Sequence, residues 1–66
     1  MILNYKNIIN RTVNTYADLL LINPSNYRID VFVVTDTVNN DGNSSEYSIY
    51  PDGTVMMKAS INTNQL

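Results

Sequence analysis

Six carboxylate side chains are the residues of this sequence best suited to acid–base chemistry: Asp18, Asp30, Asp36, Asp41, Glu46 and Asp52. Such chemistry commonly needs two carboxyl groups in one cleft with pKa values pushed apart. Asp18 suits a helix cap, Asp52 a turn and Glu46 a cross-strand ion pair. We expect Asp30 and Asp36 on the same face of one strand, about 20 Å apart at the usual rise per residue. A catalytic pair is therefore not expected.

The polar stretch "TVNNDGNSSE" invites comparison with a calcium-binding loop. Asn39, Asp41 and Gly42 fall at positions 3, 5 and 6 of an EF-hand loop. Positions 1 and 12 are then Thr37 and Ser48, where that loop needs Asp and a bidentate Glu. We interpret the stretch as an exposed connection between two strands.

Other catalytic arrangements lack their key residue types. The sequence has no His and no Cys, which excludes the usual zinc sites and a Ser-His nucleophile. A serine activated by lysine would need Lys6 or Lys58 in a buried pocket. The two glycines, Gly42 and Gly53, both suit turns rather than a phosphate-binding loop. The prediction is a protein that is not an enzyme and uses no cofactor or metal.

Size and charge limit the classes of partner. A chain of 66 residues is one domain, and at this length folding buries only about 60% of the unfolded surface. With no disulfide available, we expect a homo-oligomer. The net charge is −2 and the four basic residues are scattered, which argues against nucleic acid. The longest apolar run, residues 19–22, is too short for a membrane span, and "MILNYKNIINR" lacks the pattern of a secretory signal.

The stretch "SEYSIYPDGTVMMKASI" predicts a β-hairpin around Tyr50-Pro51-Asp52-Gly53. Pro presets φ for a type I turn and Gly closes it in the left-handed region, the usual three-residue hairpin loop. This register pairs Ile49 with Val55, Ser48 with Met56, Tyr47 with Met57 and Glu46 with Lys58. One face of the hairpin is then apolar, carrying Tyr47, Ile49, Val55 and Met57.

Upstream, "YRIDVFVVTD" over residues 27–36 predicts a strand rich in β-branched and aromatic residues. Its apolar side chains fall on both faces: Ile29, Val31 and Val33 on one, and Phe32 and Val34 beside Asp30 on the other. This distribution indicates a strand covered on both sides, by a helix and by another element or a neighbouring copy.

A short helix is predicted over residues 16–22. Thr15 followed by Asp18 approximates a capping box, and Asn23-Pro24 ends the helix, because a residue before proline avoids the helical region. Two turns of helix need tertiary packing to form.

The first fourteen residues favour a strand over about residues 8–13, with one long N-terminal helix as the alternative. Apolar residues recur there at helical spacing, but the many asparagines are poor helix formers. The predicted fold is α+β, with the order β-α-β-β-β and one short helix on a small, mainly antiparallel sheet. We expect a flexible or partner-binding arm over residues 1–9, a domain over residues 10–61 and a frayed tail over residues 62–66.

With these segments placed, "TVNTYADLLLINPSNYRIDVFVVTD" and "YSIYPDGTVMMKAS" resemble a module of tailed-bacteriophage virion proteins. In that module a strand leads into a "TYADL" helix, a "DVFVVTD"-like strand and a closing hairpin with "DGT". The similarity covers about residues 12–60. The chain departs from the module at Ile29 and Val55, which stand where Gly and Trp are common. The module occurs in fibre, tail and capsid-associated proteins and is often oligomeric.

The resemblance implies a non-enzymatic structural protein of the virion, a fibre or tail component or a capsid-associated decoration protein, assembled in the host cytoplasm. Its partners would be other virion proteins of a capsid or tail lattice and further copies of the chain, with no nucleic acid and no membrane. The candidate assembly contacts are Ile2, Leu3, Tyr5, Ile8, Ile9, Tyr27, Phe32 and Val34.

A different class of function fits the same size and acidity: a small soluble phage effector that inhibits a host protein. Carbohydrate binding through Tyr27 and Tyr50 is a third hypothesis. Copy number in purified particles separates the first two, because only a structural protein should be present there in many copies.

Overall fold

A computed structural model describes residues 7–61 as a four-stranded mixed sheet with one short helix. The elements are β1 (Ile9–Val13), α1 (Tyr16–Leu19), β2 (Ile29–Asp36), β3 (Asn43–Ile49) and β4 (Val55–Ile61). Their order along the chain is the predicted β-α-β-β-β. Across the sheet the strands lie in the order β1-β2-β3-β4. β1 pairs parallel to β2, and the other two pairings are antiparallel.

The strand predicted near the N-terminus is confirmed by β1, so the alternative of one long helix is wrong for residues 9–13. Ile9, which the sequence assigned to the arm, opens β1 and packs against the core. The rest of the predicted arm up to residue 6, and the predicted tail at residues 62–66, lie outside the described residues. Residues 14–28 connect β1 to β2 and carry α1, as a crossover between parallel strands requires.

Thr15 caps α1 as predicted. Its backbone is extended, at φ −131° and ψ 164°, and its side-chain oxygen accepts a hydrogen bond of 3.2 Å from the Asp18 N–H. The helix is shorter than predicted. The N–H groups of Leu21 and Ile22 bond to carbonyls three residues back rather than four. This tighter 3₁₀-type turn ends the α-helix at Leu19.

The core lies between α1 and one face of the sheet. Its fully buried apolar side chains are Leu19, Ile29, Val31, Val33, Tyr47 and Ile49. The rings of Tyr16 and Tyr47 pack at a centroid distance of 5.2 Å with planes tilted by 52°. Met57, predicted to lie on the apolar face, keeps 42% of its surface exposed, because α1 lies over β1 and β2 rather than over β4.

The hairpin has the predicted turn. The Gly53 N–H donates to the Tyr50 carbonyl and the Tyr50 N–H donates to the Thr54 carbonyl, both at 2.9 Å. Gly53 adopts φ +91°. Three predicted pairings are confirmed, from Ile49 with Val55 to Tyr47 with Met57.

The fourth pairing, Glu46 with Lys58, is wrong. Glu46 lies opposite Ala59, and the register shifts at a β-bulge that leaves Lys58 as the extra residue of β4. The bulge frees the Lys58 ammonium to bind Asp30 on the more distant strand β2, at 3.1 Å.

Gly53→Ala should lower the free energy of unfolding by about 1–2 kcal/mol, because a Cβ is strained in the left-handed region. The cost belongs to the backbone, since the added Cβ would meet only Pro24 Cγ at an ordinary 3.9 Å. Urea denaturation of the two proteins measures the difference. Gly53→Asn is the matched control and should lose less, because Asn tolerates this conformation. Equal stability of Gly53→Ala and the parent chain would contradict the assigned turn.

Candidate functional site: the open sheet face

The open face is the side of the sheet opposite α1. It carries the residues of β2 that alternate with the core positions, and their neighbours across the sheet. Strand pairing aligns two rows there: Asn10, Asp30, Ser48 and Met56 in one, and Thr12, Phe32, Glu46 and Ala59 in the other. No helix or strand of residues 7–61 covers this face.

One end of the open face holds a buried carboxylate. Asp30 is only 6% exposed, although its face has no covering element among the described residues. Its oxygens accept hydrogen bonds from the Ser48 hydroxyl at 2.9 Å and from Lys58 Nζ at 3.1 Å. Arg28 Nε lies 3.1 Å from the same carboxylate. The long side chains of the two cations therefore shield Asp30 from water while remaining partly exposed themselves.

The pKa of Asp30 lies below its ordinary value. Burial acts to raise this pKa, but hydrogen bonds from Ser48 and Lys58 and the positive charges of Arg28 and Lys58 outweigh it. The carboxylate is thus ionised at neutral pH and bound to two cations. Such a group stabilises the register of β2, β3 and β4 and is poorly suited to proton transfer near neutral pH.

The other buried carboxylate, Asp36, lies on the opposite side of the sheet. It accepts hydrogen bonds from the Tyr47 hydroxyl and from the N–H groups of Val38 and Asn39, at 3.2 and 3.0 Å. Tyr47 belongs to the core face, whereas Ser48, which binds Asp30, belongs to the open face. The prediction that Asp30 and Asp36 share a face is therefore wrong. The cause is an irregularity in the β2–β3 register between Val33 and Asp36, which reverses the alternation.

Asp36 organises the loop that follows it. Its backbone carbonyl accepts hydrogen bonds from the N–H groups of Asn40 and Gly42 at 3.2 and 2.7 Å. Its side-chain carboxylate accepts those of Val38 and Asn39. The Asn39 amide donates to the Tyr47 hydroxyl at 2.9 Å. The Asn39 side chain, one of those that resembled calcium ligands, thus ties the loop to β3. Within residues 7–61, no three His, Cys, Asp or Glu side chains are grouped closely enough to bind a metal ion.

Two predicted assembly contacts lie together on the open face. Phe32 is half-buried and Val34 is 41% exposed. Ile61 is 37% exposed and lies on the same face in β4, with β3 between it and β2. It is opposite Ser44, whose hydroxyl donates to the Val34 carbonyl at 2.8 Å. Ile61 is not among the assembly contacts predicted from the sequence. Its side chain lies on the open face only because of the bulge in β4, which the alternation of the sequence does not reveal.

The remaining predicted contacts lie elsewhere. Ile9 packs toward the core on the α1 side, Ile8 is half-buried just before β1, and Tyr27 is 48% exposed just before β2. Ile2, Leu3 and Tyr5 lie outside the described residues. The structure thus gives the open face one apolar end, formed by Phe32, Val34 and Ile61, and one charged end around Asp30.

Comparison with known proteins adds no family. No family model matches the sequence, and no curated protein or solved structure shows significant similarity to it. Among the helices of residues 7–61, none is long and apolar enough to cross a membrane.

Proposed function

We propose that this α+β domain is a non-enzymatic structural protein of a bacteriophage virion, which acts by assembling with other proteins of a capsid or tail lattice. The observation that carries the proposal is the apolar end of the open face. Phe32 and Val34 of β2 and Ile61 of β4 are partly exposed there, on either side of β3, on a face that no helix or strand of residues 7–61 covers. The resemblance to virion modules over residues 12–60 supports the same assignment.

The mixture of polar and apolar side chains on the open face suits an assembly contact. A small sheet can leave one face in water when that face is polar throughout. Here the end around Asp30 is charged and polar except for Met56, which is 56% exposed. The other end presents a half-buried aromatic ring and two exposed aliphatic side chains. A neighbouring copy or a lattice protein that covered the apolar end would remove this surface from water.

Val34→Lys should reduce incorporation of the chain into particles at least several-fold, because it places a charge at the centre of the proposed contact. Particles of the phage that encodes the chain are purified, and its copy number is measured by quantitative mass spectrometry. Val38→Lys is the matched control and should incorporate normally, because Val38 is 63% exposed in the loop after β2, off the open face. Thermal unfolding should show that both variants remain folded.

Equal incorporation of the two variants would contradict the assignment of the contact to the open face. A parent chain that is missing from particles and is recovered with a host protein would contradict the structural role altogether. That result would favour the small soluble phage effector.

A further inference from the structure

We infer that the outer edge of β1 is a strand-docking site, which accepts an extended segment of a different protein with a carboxylate opposite Arg11. The inference rests on the proposed assembly role and names a mode of partner recognition for it. β1 is one of the two edge strands of the sheet. Added strands bind such edges through main-chain hydrogen bonds, and their side chains supply the specificity.

The available main-chain groups of β1 follow from its pairing. The Ile9 N–H donates to the Arg28 carbonyl at 3.0 Å. Alternate residues of a parallel strand face their neighbour, so Ile9, Arg11 and Val13 turn their main-chain groups toward β2. The N–H and C=O groups of Asn10 and Thr12 therefore point away from the sheet. These four groups are a template for one more strand.

The two sheet edges differ in their protection. β4 carries a bulge, and its bulged residue Lys58 is held by Asp30. Bulges and lysines are common devices that prevent edge pairing. β1 has a continuous register with β2 from Ile9 to Val13 and contains neither device. Within residues 7–61, the edge that has neither a bulge nor a lysine is thus the β1 edge.

Charge indicates what kind of strand would dock. Arg28 and Lys58 share the Asp30 carboxylate. Arg11, exposed at the centre of β1, forms no ion pair with a carboxylate of residues 7–61. Two copies paired symmetrically over the full length of β1 would place Arg11 opposite Arg11, which is unfavourable. An acidic residue on a different chain would instead complete the pair, flanked by apolar residues beside the half-buried Ile9 and Val13.

The peptide acetyl-TVTETVT-amide is a suitable probe, because its central Glu lies opposite Arg11 in either strand direction. Titration of the isotope-labelled full chain should shift the amide signals of Asn10 and Thr12 saturably and slow their hydrogen exchange. The matched peptide acetyl-TVTKTVT-amide should bind more weakly by roughly 1.5- to 5-fold, the range of opposite-charge cross-strand pairs. Arg11→Glu should reverse this preference.

Thr12→Pro removes an outward N–H and should abolish binding, whereas Thr12→Val keeps it and should bind normally. If Thr12→Pro fails to fold, the Arg11→Glu comparison decides alone. Equal binding of both peptides, shifts confined to β4, or no saturable shift at β1 would overturn the inference. The inference would also be overturned if, without peptide, amide hydrogen exchange of Asn10 and Thr12 slowed as the protein concentration rose. That result would show that two copies of the chain pair through β1. Peptide binding and particle incorporation are separate readouts, so failure of one proposal is distinguishable from failure of the other.

Discussion

Leu19→Ala should lower the free energy of unfolding by about 2–5 kcal/mol, the range for truncating a buried leucine. Leu19 is the one fully buried residue of α1, and it packs against the core side chains of the sheet. At about 0.05–0.15 kcal/mol per residue, a chain of 66 residues has a stability of roughly 3–10 kcal/mol. The truncation should therefore remove a large share of the stability and move the urea midpoint to a much lower concentration. Circular dichroism with urea denaturation measures the loss.

Leu20→Ala provides the matched control at the next position. Leu20 is 59% exposed, so its truncation should change stability by about 0.5 kcal/mol or less, as expected for a surface substitution. Leu19→Met keeps the side-chain volume and should cost less than about 1.5 kcal/mol, which gives a folded variant for comparison. Equal losses for Leu19→Ala and Leu20→Ala would mean that α1 does not pack on the sheet through Leu19.

Tyr47→Phe should lower the free energy of unfolding by about 1–3 kcal/mol, the cost of leaving a buried polar group without its partner. The phenol donates a hydrogen bond to the fully buried Asp36 carboxylate and accepts one from the Asn39 amide. Removing its oxygen therefore leaves both Asp36 and Asn39 without a hydrogen-bond partner at that position. Urea denaturation at pH 7 measures this loss. Tyr27→Phe is the control, since Tyr27 is 48% exposed and its hydroxyl makes no hydrogen bond within residues 7–61.

The same substitution should move acid unfolding to higher pH. Burial acts to raise the pKa of Asp36, but hydrogen bonds from the Tyr47 hydroxyl and from the N–H groups of Asn39 and Val38 outweigh it and hold the pKa below its ordinary value of 3.8. A carboxylate with a lowered pKa stabilises the fold above the ordinary value, and that stability is lost as pH falls through the folded-state pKa. Without the Tyr47 hydroxyl the pKa rises. An unchanged acid midpoint in Tyr47→Phe would contradict this role.

Burial and the neighbouring Asp36 carboxylate raise the pKa of Tyr47 above its ordinary value of 10.0. The neutral phenol therefore stabilises the fold below that value, and this stability is lost as pH rises through the folded-state pKa. The Asp36–Tyr47 pair is thus a source of stability across the whole neutral range.

Local chemistry made much of the fold predictable. The Thr15 cap and the Tyr50–Gly53 turn depend on residues a few positions apart, and both are as predicted. The order of elements follows from them. The end of α1 was placed three residues too late, because Leu20 to Ile22 continue the apolar run while their hydrogen bonds have already tightened to the 3₁₀ pattern.

Tertiary register was the part that the sequence could not specify. A bulge at Lys58 and an irregularity before Asp36 each change which residues share a face. Strict alternation, applied to either strand, carries no sign of them. The ion pairs around Asp30 depend on the bulge at Lys58, and the hydrogen bonds of Asp36 depend on the irregularity before it. Alternation within β2 alone did place Phe32 and Val34 on one face, which is why that part of the candidate site could be predicted.

The parallel pairing of β1 has a consequence for the order in which the chain folds. An up-and-down meander is formed by β2, β3 and β4. Each of its two strand pairs can form outward from the connecting turn, so the loop-closure entropy lost at each step is small. β1 has no such turn, because the connection through α1 must close before Ile9 can reach Ile29. During synthesis β1 leaves the ribosome before its strand partner exists. Among the four strands of residues 7–61, we therefore expect β1 to dock last, although it is made before the other three.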